Sequence, residues 1–287
     1  MNLICVINLL ILKLKDMKKV NLNLRMFLLM FSLCLLATSC NNNDDNDPQT
    51  SKISVRMTDA PGDYDEVNVE VLDVKIKSTL DTGEEGWVSI GNIKPGIYDL
   101  LDLTGGVNVL LADNDVPSGN LGQIRLILGE HNTVVKDGET YPLKTPSAQQ
   151  SGLKLQVNQT LTGGATYDFL LDFDVEHSVV VETGNSGGFN LHPVIRVSTN
   201  ATSGIIKGIV TPFTFQSVVS VQVGDTTVSA YTDESGVFQL NGIPAGTYSV
   251  TITPAVSSEL PPLVVPNVVV VNGQISNMNT LVLQQNN

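Results

Sequence analysis

Hydrophobic and polar positions alternate with a period of two along most of this 287-residue chain. Ile53, Val55 and Met57 alternate with polar neighbours, and the apolar positions over 124–128 repeat the pattern. Because successive side chains of a β-strand point to opposite faces, this alternation predicts half-buried strands. Helical periodicity is nearly absent, and we expect a short helix only over 107–112. The pattern therefore predicts an all-β protein.

Two places in the pattern predict specific local geometry. The apolar phase shifts midway through the strand over 67–76, which predicts a β-bulge near Leu72-Asp73. Residues 133–141 contain two short alternating runs separated by Asp137-Gly138. That dipeptide accepts the positive φ angles of a type I′ turn, so the segment is predicted to be a β-hairpin.

The alternation is interrupted at 199–204, where the residues are small and most are polar. Short alternating runs bounded by turn residues resume after this break, over 205–210, 218–223, 227–231, 237–240, 247–252 and 268–271. Turn signals at this density favour β-sandwiches. We therefore predict two tandem antiparallel β-sandwich domains, over 52–198 and 204–285, each long enough to bury a core.

The N-terminal segment has the order of a secretory signal. Basic residues after Met17 precede an apolar run over 26–36, and small residues then lead to Cys40. This order resembles the lipobox of bacterial lipoproteins, which implies a signal peptide over 1–39 and a membrane anchor through lipid on Cys40. An ordinary signal peptide with an incidental cysteine is the alternative, and Met17 is an alternative start.

Residues 40–51 are predicted to form a disordered acidic tether, because 41–48 contain no apolar residue. Acidic residues directly after a lipidated cysteine resemble the export signal of surface-displayed Gram-negative lipoproteins. The resemblance implies an outer-membrane lipoprotein of the cell envelope that is exposed at the cell surface. A periplasm-facing anchor is the alternative.

Charge and cysteine content exclude two further classes of function. The chain has 16 Lys+Arg against 29 Asp+Glu, a formal net charge of −13. A surface this negative repels phosphate backbones, so no nucleic-acid partner is expected. Of the three cysteines, Cys5 and Cys34 lie in the predicted signal peptide, which leaves Cys40 without a partner for a disulfide or a thiolate metal site.

The C-terminal region carries a recognisable series of turns and core residues, in which Asp233 is expected to turn the chain and Phe238 to fill the core. The stretches concerned are 208–210, 232–238 and 243–250. They resemble the carboxypeptidase regulatory-like (prealbumin-like) β-sandwich family. The resemblance implies a structural or adhesive accessory module without a catalytic centre.

The N-terminal domain carries a second series of motifs, namely 58–62 (Thr-Asp-Ala-Pro-Gly), 98–103, 123–128, 145–154, 172–174 (Asp-Phe-Asp) and 192–196. Together they resemble a lipoprotein family known as domain of unknown function 4382, with His192 where the family more often has Lys. The family has no assigned activity, so the resemblance implies architecture rather than function.

Acidic residues occupy even positions over 168–176, so an unbroken strand would place Asp168, Asp172, Asp174 and Glu176 on one face. Ca²⁺ takes about six to eight oxygen ligands. Asp172, Asp174 and Glu176 are therefore the candidate Ca²⁺ ligands, although the Ca²⁺-loop spacing D-x-D-x-D-G is absent. A solvated face of an acidic protein is the alternative.

A polar loop over 145–152 is rich in hydroxyl and amide groups. Binding residues favour loops on rigid scaffolds. The candidate recognition surface therefore consists of Thr145, Ser147, Gln149, Gln150 and Ser151. An ordinary connection between two strands is the alternative.

Sequence motifs of metalloproteases, serine hydrolases and nucleotide-binding enzymes are missing, and no catalytic residue is predicted. The sequence therefore predicts a non-catalytic, membrane-anchored lipoprotein that acts as a binding, adhesion or scaffold module. A glycan, an envelope protein or a host protein is the expected partner. The alternatives are an accessory calcium- or carbohydrate-binding lipoprotein of a nutrient-uptake system and, third, a hydrolase.

Overall fold

The computed structural model describes residues 49–60, 62–81, 83–145, 151–182 and 188–285. The predicted signal peptide, Cys40 and residues 41–48 of the tether lie outside these ranges. In the part of the chain that is described, no helix has the length and apolar character needed to cross a membrane.

The N-terminal domain is a β-sandwich of two sheets. Sheet A consists of β1 (Thr50–Ala60), β5 (Val109–Pro117), β10 (Thr166–Asp174) and β13 (Ile195–Thr199), in the order β13-β10-β1-β5. Sheet B consists of β2 (Glu66–Ser78), β3 (Val88–Ser89), β4 (Gly96–Asp99), β6 (Gly119–Leu128), β7 (Thr133–Lys136), β8 (Glu139–Lys144), β9 (Leu153–Leu161), β11 (Val179–Val181) and β12 (Phe189–Leu191). Its order is β11-β12-β8-β7-β2-β6-β9, and β3 and β4 both pair with β2.

The predicted alternation creates the core of this domain. Val55 and Met57 of β1 and Phe169 and Leu171 of β10 are fully buried on the inner face of sheet A. They join the inner residues of sheet B in one hydrophobic cluster. Full burial of such a side chain stabilises the fold by ~1.5–3 kcal/mol, so the period-two pattern determines which face of each strand turns inward.

The C-terminal domain is a smaller sandwich. Sheet C consists of β14 (Ser203–Thr211), β17 (Val237–Pro244) and β20 (Ile275–Val282), in the order β17-β14-β20. Sheet D consists of β15 (Ser217–Val223), β16 (Thr226–Tyr231), β18 (Gly246–Pro254) and β19 (Leu263–Val270), in the order β16-β15-β18-β19. Phe238 is fully buried, and the Asp233 carboxylate accepts hydrogen bonds from the backbone N–H groups of Ser235 and Val237.

Helical structure is limited to short segments among the described residues. A four-residue helix, α1 (Val175–Ser178), follows β10, and single 3₁₀ turns occupy Glu84–Gly86, Leu101–Leu103 and Val256–Ser258. The predicted all-β fold is thus confirmed.

The local predictions for the bulge and the hairpin are confirmed. The register of β2 against β6 shifts between Val71 and Asp73, as the change of apolar phase indicates. Strands β7 and β8 form the hairpin, with Asp137 at φ 54° and Gly138 at φ 77°. Positive φ at both central residues is the requirement of a type I′ turn.

The prediction of a short helix over 107–112 is wrong. The segment enters β5, where Val109 pairs with Met57 and Ala112 pairs with Val55 of β1. Backbone pairing with a distant strand, together with burial of Leu111 and Ala112, outweighs the weak local helical preference.

The sheets also differ from the prediction in two details of pairing. They are mostly antiparallel, but β1 pairs with β10, β8 with β12 and β14 with β20 in parallel. In addition, β1 begins at Thr50, so Thr50 and Ser51 belong to the sheet rather than to the tether. Ser51 is buried, and its hydroxyl donates to the Thr162 carbonyl oxygen at 2.7 Å.

Candidate functional site

The acidic residues of β10 do not form one cluster. Asp172 contacts the Arg196 guanidinium, whereas Asp174 accepts hydrogen bonds from the backbone N–H of His177 at 3.1 Å and lies 2.8 Å from its ring Nδ1. Glu176 is exposed in α1, since the strand ends at Asp174. The described residues contain no group of three or more His, Cys, Asp or Glu arranged to hold a metal ion. Calcium binding at Asp172, Asp174 and Glu176 stays a prediction.

The end of β10 explains why the expected common face is interrupted. Asp174 is the N-cap of α1, and its side chain accepts the backbone N–H of His177. A carboxylate at this position satisfies an otherwise unpaired N–H of the first turn and favours helix initiation. Because Glu176 lies in this helical turn, its side chain does not share the face of Asp172 and is exposed, whereas Val175 remains fully buried.

Asp59, from the 58–62 motif, is a buried carboxyl on the inner face of sheet A. It pairs with Phe173 in the parallel register, and one carboxyl oxygen accepts from the Val175 backbone N–H at 3.3 Å. The other oxygen has no hydrogen-bond partner among the described residues. Burial, reinforced by the nearby Asp172, raises the pKa of Asp59 to about 9. The carboxyl group is therefore protonated at neutral pH.

Two other residues of the same motif, Thr58 and Gly62, contact the loop over 103–107 and the helix α1. The Thr58 hydroxyl lies 2.8 Å from the carbonyl oxygens of both Leu103 and Val107. Gly62 packs so closely on α1 that a Cβ there would lie 2.7 Å from a methyl carbon of Val175. These contacts give the motif a structural role at the end of sheet A.

Arg196 is the central residue of the junction between the two domains. Its Nη1 donates to the Gly242 carbonyl oxygen at 2.6 Å, and its Nη2 donates to the Asn241 carbonyl oxygen at 2.9 Å. The same Nη2 contacts the Asp172 carboxylate. Side chains of Arg196 and Asp172 are only 24% and 13% exposed. Burial raises the pKa of Asp172, and the adjacent guanidinium opposes that rise.

Close backbone approaches complete the junction. Gly242 has φ 66°, and a Cβ at this position would lie 2.3 Å from the Ser198 hydroxyl oxygen. On the other side, a Cβ at Gly106 would lie 2.4 Å from the Gln239 Cβ. Each glycine therefore permits one domain to approach the other more closely than any larger residue would allow.

The candidate recognition loop is only partly described. Thr145 is fully buried, and its hydroxyl has no partner among the described residues, so it lies beneath the surface rather than on it. Ser151 is exposed and precedes β9, which begins at Leu153. Ser147, Gln149 and Gln150, like the lipidation site Cys40, lie outside the described residues. Their role in recognition stays a prediction.

Sequence reasoning named Asp172 as a candidate Ca²⁺ ligand but did not single out Arg196, Asn241 or Gly242 as a site. Arg196 closes the 192–196 motif, so the signal was present without a role attached to it. The Asn241-Gly242 dipeptide inside β17 could have indicated a special backbone conformation, because Gly242 has φ 66°. Its contact with a residue 45 or 46 positions earlier could not be read from periodicity.

The fold and the junction define an all-β protein of two sandwich domains, joined by hydrogen bonds from Arg196, which also pairs with Asp172 inside the N-terminal domain. Residues 50–193 match the family model described as "Domain of unknown function (DUF4382)". The chain belongs to this family, as the sequence motifs predicted. No curated protein matches the chain.

Several solved structures are similar to parts of the chain. A type II cohesin–X–dockerin complex from Acetivibrio cellulolyticus is 24% identical with a TM-score of 0.23; the match covers 28% of this chain and 56% of that one. The major pilin T-13 from Streptococcus pyogenes is 8% identical, with a TM-score of 0.18 and coverage of 83% and 98%. The fimbrial anchor protein Mfa2 from Porphyromonas gingivalis is 10% identical, with a TM-score of 0.18 and coverage of 80% and 90%. These scores are too low to carry an inference about function.

Proposed function

We propose that the chain is a non-catalytic lipoprotein, anchored through Cys40 and displayed at the cell surface, that acts as a rigid two-domain binding or scaffold module. The observation that carries the rigid, structural part of this proposal is the contact of Arg196 with Asp172 on one side and with the carbonyl oxygens of Asn241 and Gly242 on the other. A flexible linker would not need a half-buried cation that bonds to groups of both domains.

The positions of the perturbed carboxyl groups support a structural role. Strongly shifted pKa values mark catalytic groups when they occur in an open cleft. Asp59 instead lies on the core face of sheet A, 4% exposed, and Asp172 is engaged by Arg196. Both groups contribute to the internal architecture of the domain. The resemblance of the C-terminal domain to the carboxypeptidase regulatory-like family agrees with an accessory module.

Protease treatment of intact cells tests the anchoring and display. We expect external protease to degrade the wild-type chain, whereas a Cys40→Ser variant, which has no lipid acceptor, is lost from the outer-membrane fraction. A wild-type chain that stays protected until the outer membrane is broken would contradict surface display. Release of reducing ends from polysaccharides by the purified protein would contradict the non-catalytic role.

A specific observation favours carbohydrate binding as a second candidate function. The junction between the two domains forms an open cleft, whose lining includes amide and hydroxyl side chains from both.

A further inference from the structure

A cleft of about 430 Å³ lies between the outer face of sheet A and the C-terminal domain. Arg56, Asp168 and Ser198 line it on the N-terminal side, and Gln239 and Asn241 line it on the C-terminal side. Ligand pockets typically measure roughly 300–1,000 Å³ and occur preferentially at domain interfaces. The cleft therefore has the size and place of a ligand site.

The junction contacts hold this cleft in a fixed shape. Arg196 bonds to the backbone carbonyl of Asn241, whose side chain lines the cleft, and Gly242 packs against Ser198. The two walls therefore cannot separate without breaking the contact of Arg196 with the C-terminal domain. A preformed cleft of this kind loses less conformational entropy when a ligand binds, which favours affinity.

The N-terminal wall offers both hydrogen-bond donors and acceptors. Arg56 uses Nη1 to donate to the Asn108 side-chain oxygen at 3.1 Å, and its other guanidinium nitrogens have no partner in the described parts of the chain. Asp168 accepts from the Ser54 hydroxyl through one oxygen, while its other oxygen has only a long 3.5 Å contact with Asn200. The Ser198 hydroxyl has no side-chain hydrogen bond within the described ranges.

The C-terminal wall has the same mixed character. Gln239 donates through Nε2 to the Asn241 side-chain oxygen at 2.8 Å. This bond leaves the Gln239 oxygen as an acceptor and the Asn241 amide nitrogen as a donor, with no further partner for either among the described residues. Two neighbouring amides are thereby oriented, and their remaining groups are available to a ligand.

This arrangement discriminates between classes of ligand. An anion in the cleft would face the Asp168 carboxylate, and a cation would face the Arg56 guanidinium, so each would meet a like charge. A hydroxyl group both donates and accepts, and can therefore satisfy Asp168 and Gln239 as well as Arg56 and Asn241. Leu170, which also lines the cleft, offers an apolar surface for C–H groups.

We infer that the cleft binds a short neutral saccharide through Arg56, Asp168, Ser198, Gln239 and Asn241. This inference rests on the proposed binding function and names its ligand class and its site. The site is distinct from the loop over 145–152 that the sequence predicts.

The test measures saccharide binding by the full chain, purified in detergent. An array of neutral oligosaccharides identifies a binder, which is then titrated against the wild type and against Arg56→Ala, Arg56→Lys and Lys154→Ala variants. Lys154 is the matched control, because it also carries one positive charge but lies on β9 of sheet B, where it pairs with Glu84 at 2.7 Å. Thermal unfolding of each variant verifies that it is folded.

We expect Arg56→Ala to weaken saccharide binding by about tenfold or more, because it removes hydrogen bonds from a charged donor. The affinity of Arg56→Lys should lie between those of the wild type and Arg56→Ala. The lysine ammonium keeps the positive charge but not the planar set of donors of the guanidinium. Lys154→Ala should bind as the wild type does. The inference is overturned if no neutral saccharide binds, if folded Arg56→Ala binds as tightly as the wild type, or if sulfated sugars displace the neutral ones. Because protease treatment of cells reports display independently, failure of this test leaves the anchoring proposal standing.

Discussion

Replacing Arg196 with alanine removes three interactions at the domain junction at once. The Asp172 carboxylate loses its cation, and the carbonyl oxygens of Asn241 and Gly242 lose their donors. Removing one partner of a buried ion pair costs ~3–5 kcal/mol. Since both side chains of the pair retain some exposure, we expect the lower end of that range.

The size of the effect translates into a measurable shift in melting temperature. For a chain of this size, 1 kcal/mol corresponds to ~2–4 °C, so a loss of ~3 kcal/mol predicts a decrease of ~6–12 °C. Differential scanning calorimetry should show one transition for the wild type. The Arg196→Ala variant should show two, because its domains are no longer coupled and unfold independently. Limited proteolysis should cut the variant faster at 200–202.

Arg125→Ala is the matched control for this experiment. Arg125 pairs with Glu84 at 2.5 Å and lies 4.0 Å above the Trp87 ring, so all of these contacts are within the N-terminal domain. This variant should lose stability in the N-terminal domain while 200–202 stay protected. If Arg196→Ala retains a single transition and the wild-type rate of cleavage, Arg196 does not couple the domains and the reasoning is refuted.

Three further predictions address the core, the junction and the metal. Because the folded Asp59 keeps its proton up to about pH 9 while the unfolded one loses it near pH 3.8, stability falls as pH rises between these values. Urea unfolding should therefore show Asp59→Asn gaining stability over the wild type from about pH 5 to about pH 8, and a constant difference would contradict the assignment. Gly242→Ala should lower the melting temperature clearly more than Gly224→Ala, a control position with φ 59° and open space for a Cβ. Adding Ser198→Gly to Gly242→Ala should restore part of the lost melting temperature, because it removes the hydroxyl that the new Cβ would meet. Adding or chelating calcium should leave the melting temperature unchanged, because Asp172 is occupied by Arg196; a calcium-dependent rise that Asp172→Asn abolishes would show the opposite.

Features that depend on neighbouring residues could be predicted from the sequence. The hairpin at Asp137-Gly138 and the bulge at Leu72-Asp73 follow from backbone preference and from a change of apolar phase, both of which act within a few residues. The break before β14 is equally local, since the turn closes through a hydrogen bond from Thr202 N–H to the Thr199 carbonyl oxygen at 3.0 Å.

Features that depend on distant pairing could not be predicted. Strand β5 forms because it pairs with β1, which is more than fifty residues earlier, and β10 joins β1 in parallel from more than one hundred residues later. Strand β20 was missed because its pattern is interrupted at Asn279, which has φ 56°. The acidic face of β10 ends early because Asp174 caps a helix that the alternation does not indicate.

The junction between the domains could not be predicted either, because it also depends on contacts between residues that are distant in sequence. The chemistry of Arg196 explains what the junction does. The free energy lost on desolvating Arg196 and Asp172 is about as large as the free energy gained from their attraction. A well-packed apolar pair would therefore stabilise the fold at least as well. An apolar pair, however, has no directional bonds. The guanidinium fixes its two carbonyl acceptors, and thereby the orientation of β17, in one geometry. Since Asn241 of that strand lines the cleft, the contact is best explained as positioning one wall of the cleft against the other rather than as a source of stability.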